Sequence, residues 1–92
     1  MISVNTYMDG KVKSLGFKKD DAVFTAGVLM PGQYTFSTEK EEHITVTLGP
    51  IHFFMPDGDW KTYTAGETII IPANVKFDLK ADSAASYICA YK

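Results

Sequence analysis

Apolar and polar residues alternate with a period of two along most of this chain. The alternation is unbroken in Val75-Lys-Phe77-Asp-Leu79-Lys80. It is typical of a strand with one buried face, because successive side chains point to opposite sides of a sheet. No window of about 11 residues has the 3.6-residue period of an amphipathic helix. The pattern therefore predicts an all-β fold in which Val75, Phe77 and Leu79 face inward.

Turn signals divide the chain into short strands. Asp57-Gly58 predicts the tight turn of a hairpin, and Gly49-Pro50 separates two further strand segments. The C-terminal segment 86–91 is largely apolar on both parities, so we expect it to be a central strand or to lie in an interface. Regularly spaced strands in 92 residues predict one sandwich or barrel domain spanning residues 1–92.

Composition excludes several classes of protein. The net charge is −2 and all nine basic residues are lysines, so the basic surplus of a nucleic-acid binder is absent. No apolar run approaches the roughly 20 residues that span a membrane. The N-terminal residues do not resemble a signal peptide, and the single cysteine, Cys89, cannot form an internal disulfide. We therefore expect a cytoplasmic protein.

Glycines and a proline frame the middle of the chain at characteristic places. Gly32 precedes Glu42 and Gly49, and Gly66 precedes Pro72 with five residues between them. This framing resembles the two motifs of the cupins, which are jelly-roll β-barrels. The resemblance implies a cupin jelly roll, and it places Glu42 where cupins keep an inward carboxylate.

The metal ligands of metal-binding cupins are missing. Residues 28–42 contain no histidine, and Phe77 stands where the second motif has one. A transition-metal site needs three or four converging ligands. His43 and His52 lie on different predicted strands and are expected to have structural or surface roles. The sequence predicts no metal and directs attention to a metal-free pocket.

Several side chains could bind a ligand, and each also has a purely structural interpretation. Ser37 and Thr38 follow Tyr34 and Phe36 on a predicted strand. Their hydroxyls could bind an anion, or the segment could be an ordinary strand with one core face. Glu42 could hold a pair of sugar hydroxyls, because a buried carboxylate needs hydrogen-bond partners, or it could be a solvated loop residue.

The remaining candidates are aromatic and basic. Phe77 and Tyr91 could be simple core residues or could present flat faces to a nucleobase. Lys11 and Lys13 share one face of a strand, where they could bind phosphate or remain solvated. Cys89 has no histidine or lysine near it in the sequence, so a reactive thiolate is not supported.

Two longer segments carry a closer resemblance. Gly10-Lys-Val-Lys-Ser-Leu-Gly-Phe17 and Pro31-Gly-Gln-Tyr-Thr-Phe-Ser-Thr38 are similar to the pyrimidine/purine nucleoside phosphorylase family, small bacterial cupins. The resemblance covers essentially the whole chain. It implies a homodimeric transferase that converts nucleosides and inorganic phosphate to free base and ribose 1-phosphate without a cofactor. Alternatives are a cupin that binds a small metabolite without turnover and a sugar-processing cupin such as an isomerase.

The family motif and cupin geometry together suggest roles for individual residues. Ser37, Thr38 and a lysine such as Lys13 would hold phosphate, and Glu42 would hold the ribose. The base would be contacted and stacked by four aromatic residues, namely Tyr34, Phe36, Phe77 and Tyr91. Stacking tolerates every base, because each has a π-face. A site of this kind would be broad in specificity.

Overall fold

Two antiparallel sheets form this protein in a computed structural model that describes all 92 residues. The strands are β1 (Ser3–Tyr7), β2 (Val12–Lys19), β3 (Ala22–Leu29), β4 (Gly32–Ser37), β5 (Glu42–Leu48), β6 (Ile51–Phe54), β7 (Trp60–Tyr63), β8 (Thr68–Ile71), β9 (Lys76–Ala81) and β10 (Ala85–Tyr91). A short 3₁₀ helix spans Met8–Gly10. The predicted all-β class is confirmed.

The strand order defines a large and a small sheet. The large sheet has the order β1-β2-β3-β10-β5-β8, and the small sheet has the order β4-β9-β6-β7. Their inner faces share one hydrophobic core. The two sheets are not joined by ladder hydrogen bonds into a closed ring, so the barrel is a two-sheet jelly roll. No helix in the structure has the length and apolar character needed to cross a membrane.

Strand β9 has the predicted register. Phe77 and Leu79 are buried, and Val75, just before the strand, packs against the same core. Lys76 is exposed, and Asp78 accepts a hydrogen bond of 2.6 Å from Thr35 in an exposed position. Each fully buried large apolar side chain contributes about 1.5–3 kcal/mol. A shift of one residue would therefore exchange buried aromatic and aliphatic groups for charged ones.

The C-terminal strand is central, as its two-sided apolar character predicted. Strand β10 lies between β3 and β5 and pairs with both of them. Cys89 on its inner face is 1% exposed, with Tyr87 and Tyr91 on either side of it. Tyr91 is paired with Glu42 of β5. The strand thus brings its alternate side chains to the middle of the domain.

The hairpin predicted from Asp57-Gly58 joins β6 and β7. Phe54 pairs with Trp60 across it, and the amide of Gly58 donates a 2.8 Å hydrogen bond to the carbonyl of Met55. Gly58 has φ +91°, a conformation that favours glycine. The turn is therefore a five-residue connection closed by one left-handed glycine.

The outer face of the large sheet is unusually apolar. Val4, Leu15, Ala26 and Ile88 are successive partners on β1, β2, β3 and β10. Val4 is 68% exposed, Leu15 45% and the neighbouring Val28 53%. Contiguous exposed apolar groups of this kind mark interaction surfaces more often than isolated ones do. We call the surface formed by these five residues the outer apolar face.

Candidate functional site

An aromatic cavity of about 400 Å³ opens between the two sheets. Small-molecule sites have this size and are mainly apolar, with a few polar groups that fix orientation. Its aromatic lining consists of Tyr7, Phe36, Phe53, Phe77, Tyr87 and Tyr91. Its polar lining consists of Ser14, Ser37, Glu39, Lys40, Glu42 and Cys89. The cavity can therefore offer flat faces to a ring and hydrogen bonds to a sugar.

Strand pairing builds one aromatic wall. Phe36 of β4 and Phe77 of β9 are direct partners, with ring centroids 6.2 Å apart. Tyr7 meets Phe36 edge-on at 5.7 Å, and Phe53 stacks on Phe77 at 6.3 Å. These separations lie in the range in which aromatic pairs attract each other. The wall is therefore held in place by its own ring contacts.

Tyr87 enters the cavity because its partner has no side chain. It pairs with Gly27 of β3, and a Cβ atom on Gly27 would overlap the tyrosine ring. Burial raises the pKa of the Tyr87 phenol to about 12. The Tyr87 hydroxyl is thus neutral at physiological pH and can donate a hydrogen bond.

Glu42 and Cys89 form the polar centre of the cavity. The Cys89 thiol donates a hydrogen bond of 3.5 Å to Oε1 of Glu42. Burial raises the pKa of Glu42, and the thiol hydrogen bond acts in the opposite direction. Burial, followed by the nearby Glu42 charge, raises the pKa of Cys89 to about 12. Cys89 therefore serves as a neutral donor, consistent with the expectation that it is not a reactive thiolate.

Tyr91 lines both the aromatic cavity and a second depression. Its hydroxyl lies 3.3 Å from the Thr25 hydroxyl, and its pKa is raised, mainly by burial. The second depression has a volume of about 810 Å³. We call it the lysine groove, and its polar lining consists of Ser3, Asn5, Lys18, Thr25, Lys40 and Tyr91. Tyr91 and Lys40 line both spaces.

The structure brings most of the predicted site residues together. Glu42, Ser37, Phe36, Phe77 and Tyr91 all line the aromatic cavity. Ser37 is exposed at the end of β4, and Glu42 begins β5. Glu42 is half-buried rather than a solvated loop residue. The structural interpretation of Phe77 also holds, since the residue belongs to the core and to the cavity wall.

Tyr34 and Lys13 do not reach the cavity. Tyr34 is buried, and its hydroxyl donates a 2.7 Å hydrogen bond to the carbonyl of Met30. Lys13 is exposed and alternates with the buried Val12 and Ser14, so it points away from the interior. Strand parity therefore removes Lys13 from the cavity and puts its neighbour Ser14 there.

Thr38 is also outside the cavity lining, although it is the residue after Ser37. Its hydroxyl donates a 2.7 Å hydrogen bond to the carbonyl of Pro72 and accepts one of 3.1 Å from the amide of Val75. Both bonds tie the end of β4 to the segment before β9. The Thr38 hydroxyl is therefore engaged by backbone groups outside the cavity, whereas Ser37 lines the cavity. Anion binding by this pair stays a prediction.

Sequence reasoning missed Tyr7, Ser14, Glu39 and Lys40. Ser14 follows Lys13 on β2, but this strand has apolar residues on both parities, so the sequence did not show which of the two faces inward. Lys40 lies in the loop between β4 and β5, where no periodicity exists. The amide of Lys92 donates a 2.8 Å hydrogen bond to the carbonyl of Glu41, which ties this loop to the end of β10. That contact is not visible in the sequence.

The cavity residues do not fit a metal ion. No group of three or more His, Cys, Asp or Glu side chains converges anywhere in the structure. The cavity offers only the pair Glu42 and Cys89 at hydrogen-bonding distance. His43 instead lies 2.8 Å from Glu41, and His52 lies 2.8 Å from the Thr62 hydroxyl. The ligand set of a metal-binding cupin is thus not reproduced here.

Comparison with known proteins gives one consistent result. A family model described as pyrimidine/purine nucleoside phosphorylase matches residues 2–91. A pyrimidine/purine nucleoside phosphorylase of Vibrio cholerae is 46% identical over 92 residues, which cover 99% of this chain and 97% of the relative. The similarity therefore extends over nearly the full length of both proteins.

Solved structures agree on the fold. A protein of unknown function from Vibrio parahaemolyticus superimposes with a TM-score of 0.97 at 38% identity, covering 100% of this chain and 99% of the other. An RmlC-like cupin from Shewanella frigidimarina has a TM-score of 0.78 at 16% identity, covering 98% and 82% of the two chains. The second likeness concerns the fold alone, and it confirms the predicted cupin architecture.

Proposed function

This chain belongs to the pyrimidine/purine nucleoside phosphorylase family, and from that premise we propose that it cleaves purine and pyrimidine nucleosides with inorganic phosphate. The products are free base and ribose 1-phosphate, so the enzyme is a pentosyltransferase. The single observation that carries the proposal is the aromatic cavity with Glu42 at its polar centre. An aromatic wall suits a base, and a carboxylate suits a ribose.

Phosphorolysis exchanges one bond at the anomeric carbon for another. The glycosidic C–N bond breaks and its electron pair leaves with the base, while an oxygen of hydrogen phosphate forms a new C–O bond. The proton that the phosphate gives up balances the proton that the departing base takes up. The ribosyl centre carries positive charge in between, and a fixed negative group nearby stabilises it. Ionised Glu42 supplies such a group and accepts hydrogen bonds from the ribose hydroxyls. The Cys89 thiol orients it by donating to Oε1.

The base lies against the wall formed by Phe36 and Phe77, with Tyr91 beside its strand partner Glu42. Stacking on such rings is worth about 1–3 kcal/mol per base and does not depend on which base is present. The neutral hydroxyl of Tyr87 donates a hydrogen bond to base or sugar. Broad substrate specificity follows, because the ring contacts do not read the edge of the base.

No metal or other cofactor takes part in this proposal. Fixing the two substrates side by side and stabilising charge can supply much of the acceleration. A chelator should leave activity unchanged in protein purified without a metal-binding tag. Loss of activity on chelation, restored by one metal, would remove this part of the proposal.

The test is release of base from nucleosides in the presence and absence of inorganic phosphate. We expect release from several purine and pyrimidine nucleosides, strictly dependent on phosphate, with ribose 1-phosphate as the second product. A folded protein that binds nucleosides but releases no base at saturating phosphate would support the metabolite-binding alternative. Conversion of a sugar without release of base would support the isomerase alternative.

The active form is proposed to be a homodimer joined through the outer apolar face, in a cytoplasmic protein. Val4, Leu15 and Val28 expose apolar surface that a second copy can bury. Closed two-fold pairs are the commonest oligomers, and their interfaces are self-complementary. Stable interfaces bury about 800 Å² on each partner, and the outer surface of a sheet can provide this area.

A further inference from the structure

We infer that the lysine groove, and not the pair Ser37 and Thr38, holds inorganic phosphate and the phosphate group of ribose 1-phosphate. This inference rests on the proposed phosphorolysis, which requires a phosphate beside the nucleoside. It assigns Lys18 and Lys40 as the charged groups that bind the anion, and the hydrogen-bonded hydroxyl pair of Thr25 and Tyr91 as the source of one neutral donor. None of these lysines was a candidate in the sequence.

The net charge of the side chains that line the aromatic cavity is negative, and that of the side chains that line the lysine groove is positive. The charged side chains lining the aromatic cavity are Glu39, Glu42 and Lys40. Those lining the lysine groove are Lys18 and Lys40, with no carboxylate among its lining residues. A phosphate dianion in the cavity would face two carboxylates and one ammonium group, whereas in the groove it would face two ammonium groups and no carboxylate. Coulomb attraction therefore favours the groove.

Neutral donors complete the groove. The Thr25 and Tyr91 hydroxyls are 3.3 Å apart, so one donates to the other and the second proton is available to a ligand. Asn5 uses one amide proton in a 3.2 Å hydrogen bond to Ser14 and has another to offer. Thr25 is buried and lines the groove. A phosphate there meets donors as well as charge.

Strand pairing places the groove within reach of the ribose. Lys18, Val23, Tyr91 and Glu42 are successive partners on β2, β3, β10 and β5. Neighbouring strands are about 4.8 Å apart, so the Cα atoms of Lys18 and Glu42 are separated by roughly 14 Å. A lysine side chain, a phosphate and a ribose fill that distance. Tyr91 and Lys40 line both spaces, so the phosphate and the ribose meet beside Tyr91, where the new C–O bond forms.

Inorganic phosphate is the probe for this site. Its dissociation constant is measured by calorimetry and by the broadening of its ³¹P resonance, at fixed ionic strength, without nucleoside. Lys18→Gln is expected to weaken phosphate binding about tenfold, the size expected for one lost charged hydrogen bond. Lys40→Gln should act similarly, and the double variant should abolish binding. Both lysines are exposed, so the variants are expected to fold normally, which circular dichroism verifies.

Lys19→Gln is the matched control. Lys19 is the next residue on β2, carries the same charge, is exposed and lines neither space. Its change should leave the phosphate constant within about twofold, because exposed charges contribute little at a distance. If Lys19→Gln weakens binding as much as Lys18→Gln, the effect is that of net charge and the groove is not the site. If Ser37→Ala alone abolishes binding, phosphate lies in the aromatic cavity.

This binding experiment is independent of catalysis. If phosphate binding requires Lys18 and Lys40 but the protein releases no base, the groove is supported as the phosphate site and the proposed phosphorolysis is excluded. The enzyme could instead release base in a phosphate-dependent way, with the Michaelis constant for phosphate unchanged in Lys18→Gln and Lys40→Gln. That result would support the phosphorylase activity and exclude the groove as the phosphate site.

Discussion

The thiol of Cys89 lies 3.5 Å from Oε1 of Glu42 and donates a hydrogen bond to it. Both residues line the aromatic cavity, and Glu42 is the only carboxylate there that combines partial burial with a side-chain donor. Burial and the thiol act on the pKa of Glu42 in opposite directions. The pair therefore sets the pH at which the proposed ribose-binding carboxylate becomes ionised.

Replacing Cys89 should move the acid limb of the pH–rate profile. The Cys89→Ala variant removes the donor that lowers the pKa of Glu42, so the limb of kcat/KM should shift to higher pH. Cys89→Ser keeps a donor, and a stronger one, so its limb should lie below that of the alanine variant. Steady-state rates measured across the acid range test this. Coincident limbs in the two variants would exclude the thiol as a positioning group.

Glu42→Gln should affect stability and turnover in opposite directions. Burial raises the pKa of Glu42 above its ordinary value of 4.5, so the folded protein holds this proton more tightly than the unfolded chain does. The stability associated with the protonated form is complete below 4.5 and is lost as pH rises through the folded pKa. At neutral pH the glutamine variant should thus resist urea better than wild type, with much lower turnover.

That advantage of Glu42→Gln should disappear as the pH falls below 4.5, where both states of the wild type are protonated. Glu39→Gln is a suitable control, because Glu39 lines the same cavity but is exposed. Its free energy of unfolding should change by less than about 0.5 kcal/mol at either pH. A glutamine variant of Glu42 that is less stable than wild type at neutral pH would contradict the proposed burial cost.

Gly27→Ala should displace the ring of Tyr87. A Cβ at this position would overlap the ring, and relieving that overlap typically costs about 1–3 kcal/mol of stability. The displaced ring would also narrow the aromatic cavity and raise the Michaelis constant for nucleosides. Combining Gly27→Ala with Tyr87→Leu should recover part of the lost stability. Additive effects of the two changes in a double-mutant cycle would show that they do not interact.

Thr38→Val should loosen the loop that carries Lys40, although Thr38 does not line the cavity. The change leaves the Pro72 carbonyl and the Val75 amide without their hydroxyl partner, at a cost of about 1–3 kcal/mol. Thr38→Ser retains both bonds and should keep most of the stability and activity. Thermal unfolding of the two variants distinguishes this anchoring role from direct phosphate binding. If Thr38 only bound phosphate, Thr38→Val would leave the unfolding temperature unchanged.

Leu15→Lys should convert the proposed dimer to a monomer. Leu15 lies in the middle of the outer apolar face, and a lysine there would bring like charges together across a two-fold axis. Light scattering should give about twice the chain mass of 10.2 kDa for wild type and the single chain mass for the variant. Trp60→Lys, an exposed apolar residue of the small sheet, should leave the mass unchanged. A wild-type protein that is monomeric at micromolar concentration would contradict the proposed dimer.

Much of the candidate site could be predicted because residue type and strand parity are local properties. Phe77 could be predicted to face inward because it alternates with Lys76 and Asp78. Glu42 could be predicted because it stands at the carboxylate position of the cupin motif. The position of Lys13 outside the cavity could not be predicted, because apolar residues occur on both parities of β2. The position of Thr38 outside the cavity could not be predicted either, because its hydroxyl partners, Pro72 and Val75, are far away in the sequence.

The sequence by itself determined the all-β class and the inward-facing residues of β9, because a period of two assigns alternate side chains to opposite faces. It also determined the lack of cupin metal ligands, because residue identity alone decides that. Only the tertiary structure decided that β10 lies between β3 and β5, which brings Cys89 and Tyr91 beside Glu42. It also decided that Lys18 and Lys40 share one groove. Such pairings join residues far apart in the chain, and no local pattern encodes which strands become neighbours.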